Sequence, residues 1–290
     1  MSKRILLTGA SGLFGANAIL TGQFRYEIFG MHHKTPPQSV NFSRCKWIQQ
    51  DLTYELETRR LVKQIKPDFI IHAAATANID DCETHREEAY RQNVLVSKTL
   101  AQCATENQAF LVHFSTDAFF EGKDRLFTED DEPNPVNYYG ETKLLAEKAV
   151  RENCPESLIA RVNFFGWSPH NRPNLGEWIV QSLMRKISVP LFSDVIFTSL
   201  FVNKLAEIIF DIMEMKHKGI LNISGDEPVS KLEFGKRICK IFGLDDQLIK
   251  PSQLSDGQYR APPWRDHRRK TPRKAGDRKI VCRHAFMSYQ

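Results

Sequence analysis

The sequence predicts an α/β fold: a Rossmann-like, doubly wound parallel sheet with a small C-terminal lobe. Three observations support this prediction. Strand and helix patterns alternate over the first 160 residues, a glycine-rich turn joins the first strand to the first helix, and the pattern becomes irregular beyond residue 160. Regular alternation of this kind indicates a parallel sheet that is covered by helices on both faces.

Short apolar runs and helical periodicity define the individual elements. The predicted strands of the first part lie at 3–8, 26–31, 46–50, 68–73, 109–115 and 157–161. The predicted helices lie between them, at 13–22, 54–65, 86–106 and 138–152. Pro67 marks the end of the second helix. Beyond residue 160 we expect helices at 175–187, 200–215 and 230–243 and a strand at 219–223.

The chain divides into three parts. Residues 1–160 form the predicted Rossmann core, and residues 161–257 complete that core and form the lobe. Residues 258–290 are a basic tail with ten Lys/Arg and two Asp, which leaves residues 1–257 with 30 basic and 33 acidic side chains. The net charge of +5 therefore comes from the tail and does not indicate a basic body.

The tail allows three hypotheses, because it has little apolar periodicity. It could bind nucleic acid or a membrane surface, it could be a disordered terminus, or it could be the product of a shifted reading frame. We favour a shifted frame, and sequencing of the gene through this region tests it.

Composition narrows the class of protein. Hydrophobic content of 41% and charged content of 26% are ordinary for a soluble globular protein, and no apolar run approaches the ~20 residues of a membrane span. Six scattered cysteines without a Cys-x-x-Cys pair argue against a zinc site and fit reduced thiols. We expect a cytoplasmic protein, without a metal or a membrane partner and with nucleic acid disfavoured.

A nucleotide-binding turn opens the chain. Gly9, Gly12 and Gly15 separate the apolar run at 5–7 from the helix that follows. Glycines in such a turn allow a tight backbone and let a diphosphate approach the helix N-terminus. Their spacing is Gly-x-x-Gly-x-x-Gly and differs from the commonest dinucleotide fingerprint.

Polar or small residues follow the other predicted strands, where ligands bind in parallel sheets. They are His32, His33 and Lys34 after the second strand, Asp51 and Leu52 after the third, Ala73, Ala74 and Ala75 after the fourth, and Ser115, Thr116 and Asp117 after the fifth. The alanines would let a cofactor lie close to the backbone, although small residues also simply pack there.

Tyr139 and Lys143 are four residues apart on a predicted helix and therefore share one face. A nearby ammonium favours the phenolate, so we expect Lys143 to lower the pKa of Tyr139. Thr116 lies 23 residues earlier, at the end of a separate strand. A hydroxyl, a phenol and an ammonium that converge there could hold the oxygen of a ketone and deliver a proton to it during hydride transfer.

With these motifs the sequence resembles the extended short-chain dehydrogenase/reductase family, and within it the dTDP-4-dehydrorhamnose reductase branch. The resemblance covers roughly residues 3–245. The segments that carry it are 8–15, 66–75, 93–94, 112–117, 120–122, 127–143, 201–206 and 223–230.

The resemblance implies a single-chain NAD(P)-binding core, a C-terminal substrate-binding lobe and a reductase of a 4-keto nucleotide-linked deoxysugar, with a homodimer left open. The implied catalytic residues are Thr116, Tyr139, Lys143 and Asp117. The implied cofactor-binding residues are Gly9, Ser11, Gly12, Leu13, Phe14, Gly15, His32, His33, Lys34, Asp51, Leu52, Ala73, Ala74, Ala75, Asn93, Tyr139 and Lys143. The candidate substrate-binding residues are Asp117, Arg161, Asn163 and Lys186.

The end of the second strand favours NADP(H) and leaves NAD(H) open. An NAD-specific site usually places a carboxylate there, whereas this chain has His32, His33 and Lys34. Basic groups suit a 2′-phosphate.

Two alternatives remain within the resemblance. The chain could be a nucleotide-sugar epimerase or dehydratase on the same scaffold, or a non-catalytic NADP-binding subunit like the regulatory subunit of methionine adenosyltransferase. Ala118 replaces the tyrosine that is usual in this branch, and Trp167 comes later than the usual tryptophan. Both departures concern which sugar is bound more than which reaction is catalysed.

Overall fold

The computed structural model describes residues 2–34, 42–117, 127–169 and 173–253. The strands in these ranges are β1 (Arg4–Thr8), β2 (Glu27–His32), β3 (Cys45–Gln49), β4 (Phe69–His72), β5 (Phe110–Thr116), β6 (Leu158–Val162), β7 (Phe164–Phe165), β8 (Val189–Phe192), β9 (Ile196–Phe197), β10 (Leu200–Phe201), β11 (Gly219–Ile223), β12 (Val229–Ser230) and β13 (Ile249–Ser252). The helices are α1 (Leu13–Gly22), α2 (Glu55–Ile65), α3 (Ile79–Thr84), α4 (Arg86–Tyr90), α5 (Val96–Glu106), α6 (Tyr138–Asn153), α7 (Leu175–Met184), α8 (Val202–Glu214) and α9 (Lys231–Phe242).

The central sheet has seven strands in the order β11-β6-β5-β4-β1-β2-β3. All of its neighbouring strands run parallel. Strands β2 and β3 extend the sheet on one side of β1, and β4, β5, β6 and β11 extend it on the other. The connections therefore run in opposite directions from a switch point between β1 and β4. Ligands bind at such a switch point, beyond the carboxyl ends of the strands. The predicted Rossmann-like fold is confirmed.

The two faces of the sheet are covered by different helices. On one face α1 and α8 pack with β1 and β5 in one apolar cluster, and on the other α2, α5 and α6 pack in a second. Successive residues of β1 illustrate the division, because Ile5 and Leu7 join the first cluster while Leu6 joins the second. Continuous apolar runs in the sequence follow from this burial on both faces.

A third apolar cluster lies in the C-terminal part of the chain. Helices α7 and α9 enclose it with the paired strands β8–β13 and β9–β12. Between these segments α8 and β11 return to the central sheet and its cluster. The described residues between 161 and 253 thus contribute both to the sheet and to a separate small core, while the predicted tail at 258–290 lies outside the described residues.

The structure refines several predicted elements. The helix predicted at 86–106 is α4, a π-helical turn at Arg91–Leu95 and then α5. Helix α3 and the short strands β7–β10, β12 and β13 escaped prediction because two to six residues are too few to show periodicity.

Candidate active site

The glycine turn between β1 and α1 is closed tightly against the loop after β4. Gly9 has a φ of 65°, and a Cβ there would lie 2.8 Å from the backbone of Ala73 and Ala74. A side chain on Gly15 would overlap the carbonyl oxygen of Gly9. No side chain caps α1 at Gly12, so the backbone amides of the first turn of this helix can bind an anion such as the diphosphate of a dinucleotide. Ser11 and Leu13 are half-buried at this turn.

Phe14, predicted to contact the cofactor, has its side chain in the core. It is 3% exposed and lies 4.2 Å from the ring of Phe114, centroid to centroid. Only the backbone of Phe14 can therefore face a ligand in the turn. An aromatic residue at this position anchors α1 to the sheet.

The end of β2 is less basic than the sequence suggested. His32 is buried and meets Trp47 edge-on, so its ring faces the protein. His33 and Lys34 are exposed, but Asp51, from the loop after β3, lies 3.6 Å from the Nε2 of His33. Burial alone would raise the pKa of Asp51, and bonds from Thr53 and the nearby His33 hold it below its ordinary value. The sequence shows no carboxylate at the end of β2 itself, and the expectation that none lies nearby was wrong. Asp51 supplies one because it follows β3, the strand that pairs with β2.

The four predicted catalytic residues converge at the carboxyl end of β5. Thr116 ends that strand, and its hydroxyl hydrogen-bonds the phenol of Tyr139 from the first turn of α6. Asp117 follows and is 7% exposed. Asn137 caps α6 by accepting a bond from the Gly140 amide at 2.8 Å, which fixes where the helix and its tyrosine begin.

Lys143 is anchored to the strand and not to the phenol. Its Nζ donates to the carbonyl oxygen of Phe114 at 2.6 Å, and the residue is 3% exposed. Burial lowers the pKa of Lys143 to about 8. Burial also raises the pKa of Tyr139 to about 12, against the effect of the bond from Thr116. The structure therefore does not show the predicted lowering of the phenol pKa by Lys143.

Asp117 is held by Asn163, which lies between β6 and β7. The Nδ2 of Asn163 donates to both carboxylate oxygens of Asp117, at 3.0 and 3.3 Å. Burial nevertheless raises the pKa of Asp117 to about 6. The two residues form a polar pair beside Thr116 and Tyr139.

Two other predicted substrate residues lie elsewhere. Arg161 is buried in a two-bond ion pair with Glu147, so its guanidinium is committed inside the protein. Lys186 lies in an exposed turn after the C-terminal end of α7, with a φ of 58°. Of the candidate substrate residues, Asp117 and Asn163 are the ones brought to the phenol.

Asn93 connects the loop after β4 to helix α6 next to the site. Its side chain exchanges two hydrogen bonds with the backbone of Thr76, at 2.8 and 3.0 Å, and donates to the Thr142 hydroxyl at 3.0 Å. The Thr142 hydroxyl in turn donates to the carbonyl oxygen of Tyr139 at 2.8 Å. Asn93 thus ties the loop after β4 to the catalytic helix and has little capacity left for a cofactor.

Sequence reasoning missed Glu147 and His72. Glu147 is 3% exposed and follows Lys143 by one helical turn, a spacing that the sequence does show. His72 ends β4, where its ring bonds Thr8 at 2.8 Å and Ser97 at 3.1 Å. These partners come from distant segments, so spacing could not have revealed them. Ala118 lies outside the described residues.

Within the described ranges, no group of three or more His, Cys, Asp or Glu side chains is arranged to hold a metal ion. No helix in the same ranges is long and apolar enough to cross a membrane.

Comparison with known proteins agrees with this geometry. Residues 3–265 match the family model described as RmlD substrate binding domain. A probable low-salt glycan biosynthesis reductase of Haloferax volcanii is 30% identical over 86% of this chain and 84% of its own length. The beta subunit of methionine adenosyltransferase 2 from Mus musculus is 29% identical over 86% of this chain and 75% of its own.

Solved structures show the same fold. A hypothetical dTDP-4-dehydrorhamnose reductase from Sulfolobus tokodaii has a TM-score of 0.76 at 28% identity and covers 88% of this chain and 87% of its own. A dTDP-4-dehydrorhamnose reductase from Bacillus anthracis in complex with NADP has a TM-score of 0.79 at 23% identity, over 98% of this chain and 91% of its own.

Fold and site together define a member of the short-chain dehydrogenase/reductase class of NAD(P)-dependent oxidoreductases. Within that class, the chain belongs to the family described as RmlD substrate binding domain.

Proposed function

We propose that this protein is an NADP(H)-dependent reductase of a 4-keto nucleotide-linked deoxysugar, with Tyr139 as the proton donor. The observation that carries the proposal is the convergence of Thr116, Tyr139 and Lys143 at the carboxyl end of β5, at the same edge of the sheet as the glycine turn. Similarity to relatives named as dTDP-4-dehydrorhamnose reductases supports the choice of substrate.

The cofactor is held by the turn between β1 and α1. The tight cradle of Gly9 and Gly15 presents backbone amides to a diphosphate, and Lys34 with His33 faces the 2′-phosphate. The NADP complex of the Bacillus anthracis relative supports this choice of cofactor. When bound, NADPH supplies the hydride that reduces the C4 ketone.

Side chains of this protein bind the ketone oxygen of the substrate and supply the proton that it takes up. Thr116 donates a hydrogen bond to the carbonyl oxygen, which gains negative charge as the ketone is reduced. Tyr139, whose pKa is raised to about 12, is protonated throughout the neutral range and releases its proton to that oxygen. Asp117, oriented by Asn163, hydrogen-bonds the sugar.

Loss of the phenol tests the reaction. We expect NADPH oxidation that depends on a dTDP-4-keto-6-deoxysugar and falls by about 10²–10⁴-fold in Tyr139→Phe. Tyr138→Phe is the matched control, because its ring packs against Arg86 and is not the proton donor. Full turnover in Tyr139→Phe contradicts the mechanism.

A second candidate function is that of a non-catalytic subunit, because relatives over most of the chain are named as the beta subunit of methionine adenosyltransferase 2. Such a subunit would bind NADP and co-purify with a catalytic partner, yet reduce no ketone. Thr116, Tyr139 and Lys143 together favour the enzyme over the non-catalytic subunit.

An epimerase is the other alternative on this fold. It would retain NAD(H) through purification, and an absorbance spectrum of the pure protein would detect the bound cofactor.

A further inference from the structure

Three buried polar side chains lie beneath Lys143, between the sheet and α6. Ser115 of β5 and Arg161 of β6 are paired in the register of the parallel strands. Both reach Glu147 of α6: Arg161 donates through Nε at 3.0 Å and Nη2 at 2.8 Å, and the Ser115 hydroxyl donates at 2.5 Å. The side chains of Arg161 and Glu147 are each 3% exposed. The carboxylate is therefore fixed in place by charged and neutral donors.

The same carboxylate lies one helical turn from Lys143 and acts on it through its charge, without a direct bond between the two side chains. The two residues are four apart on α6, so their side chains lie on one face of the helix, one turn from each other. Burial disfavours the ammonium of Lys143, and the negative charge of Glu147 opposes that effect. Lys143 also donates to the Phe114 carbonyl, which fixes the direction of its side chain.

Of the other titratable groups around this helix, Asp117 is negatively charged above its pKa of about 6 and acts on Tyr139. His72 of β4 and His113 of β5 are buried, with pKa values lowered to about 3 and well below the usual range, so both rings are neutral. Burial raises the pKa of Cys82 of α3 to about 11, so its thiol is neutral too. The positive charge of Arg161 is engaged by Glu147 itself.

A buried ion pair contributes little net stability, because removing both charges from water costs about as much as their attraction returns. An apolar pair of similar volume is often equally stable. Stability alone therefore gives no strong reason for Arg161 and Glu147 at these positions.

We propose that Glu147, held by Arg161 and Ser115, is a positioning residue that keeps Lys143 charged behind Tyr139. This inference rests on the role of Lys143 in the proposed reductase. Glu147 itself touches neither substrate nor cofactor, and Arg161 belongs to this support and not to the substrate site.

The test removes the charges without leaving one unpaired. In the triple variant Glu147→Leu/Arg161→Met/Ser115→Ala, all three polar groups are replaced by apolar ones. Glu147→Gln is the companion variant, which removes the carboxylate alone and leaves the charge of Arg161 unpaired. The titration of Lys143 is followed in the free protein by NMR with labelled lysine and Lys143→Met for assignment. This readout needs no substrate, so it is independent of whether the proposed ketone is correct.

We expect the pKa of Lys143 to fall by about one unit or more when the carboxylate is lost. The alkaline limb of the pH profile of kcat/KM should move down by the same amount, because this ratio reports groups of the free enzyme. Glu152→Gln is the matched control, since Glu152 is an exposed carboxylate four residues after Lys148 on the same helix. It should leave both readouts unchanged.

Three results would overturn the proposal. Lys143 titrating at the same pH in the folded variants would show that Glu147 does not set its charge. An unshifted pH profile of kcat/KM would remove the link to catalysis. Failure of both the triple variant and Glu147→Gln to fold would assign the ion pair to stability.

Discussion

The ammonium of Lys143 lies 2.6 Å from the carbonyl oxygen of Phe114, within the interface between α6 and β5. This contact, and not a direct approach to the phenol, fixes the lysine behind Tyr139. The phenol instead receives the hydrogen bond of Thr116, and its raised pKa of about 12 suits a group that must be protonated before it donates.

The titration of Lys143 predicts how activity depends on pH. Its pKa of about 8 lies below the usual value, so the ammonium is present below that pH and lost above it. We expect kcat/KM to fall as the pH rises through about 8, since this ratio reports groups of the free enzyme. A profile that stays flat to pH 10 would show that the charge of Lys143 is not needed.

The buried carboxyl of Asp117 predicts a stability effect. Its folded pKa of about 6 exceeds the unfolded value, so the folded state binds the extra proton and stability falls as the pH rises from about 4 to 6. Asp117→Asn should therefore raise the free energy of unfolding at pH 7.5, by up to about 3 kcal/mol.

The gain from Asp117→Asn should shrink by roughly half at pH 5, where most of the folded protein already carries the proton. Urea denaturation at the two pH values measures this difference. An equal gain at both would assign the effect to packing.

Two glycines with the same backbone conformation form a matched pair. Gly9 and Gly243 have φ of 65° and 62°, but a Cβ meets backbone only at Gly9 and lies in open space at Gly243. Gly243→Ala should cost about 1 kcal/mol of strain. Gly9→Ala should cost about 1–3 kcal/mol more and weaken binding of NADPH. Urea denaturation measures the loss of stability, and fluorescence titration measures the affinity for NADPH. Equal losses of stability in the two variants would show that the turn at Gly9 tolerates a side chain.

The basic end of β2 predicts the choice of cofactor. Lys34→Ala should raise KM for NADPH about tenfold and leave KM for NADH unchanged, because only NADPH carries the 2′-phosphate. Lys46→Ala is the control, since Lys46 pairs with Glu27 away from that strand end. Similar increases of KM for NADPH and for NADH would show that Lys34 does not contact the 2′-phosphate.

The sheet, its main helices and the grouping of Thr116, Tyr139 and Lys143 could be predicted from the sequence, since periodicity and the order of motifs along the chain are local properties. Contacts between distant segments could not. The ion pair of Arg161 with Glu147 and the approach of Asp51 to His33 both depend on which strands become neighbours. Arg161 was accordingly assigned to the substrate, although the fold places it inside the core.

Deuterium transfer tests the central claim most directly. Wild-type protein is incubated with NADPH deuterated at the nicotinamide C4 and a dTDP-4-keto-6-deoxysugar, and the product is examined by mass spectrometry and NMR. We predict one deuterium at C4 of the sugar, formed at least 100-fold more slowly in Tyr139→Phe at saturating NADPH. Deuterium at another carbon, no transfer at all, or an undiminished rate in Tyr139→Phe would contradict the account.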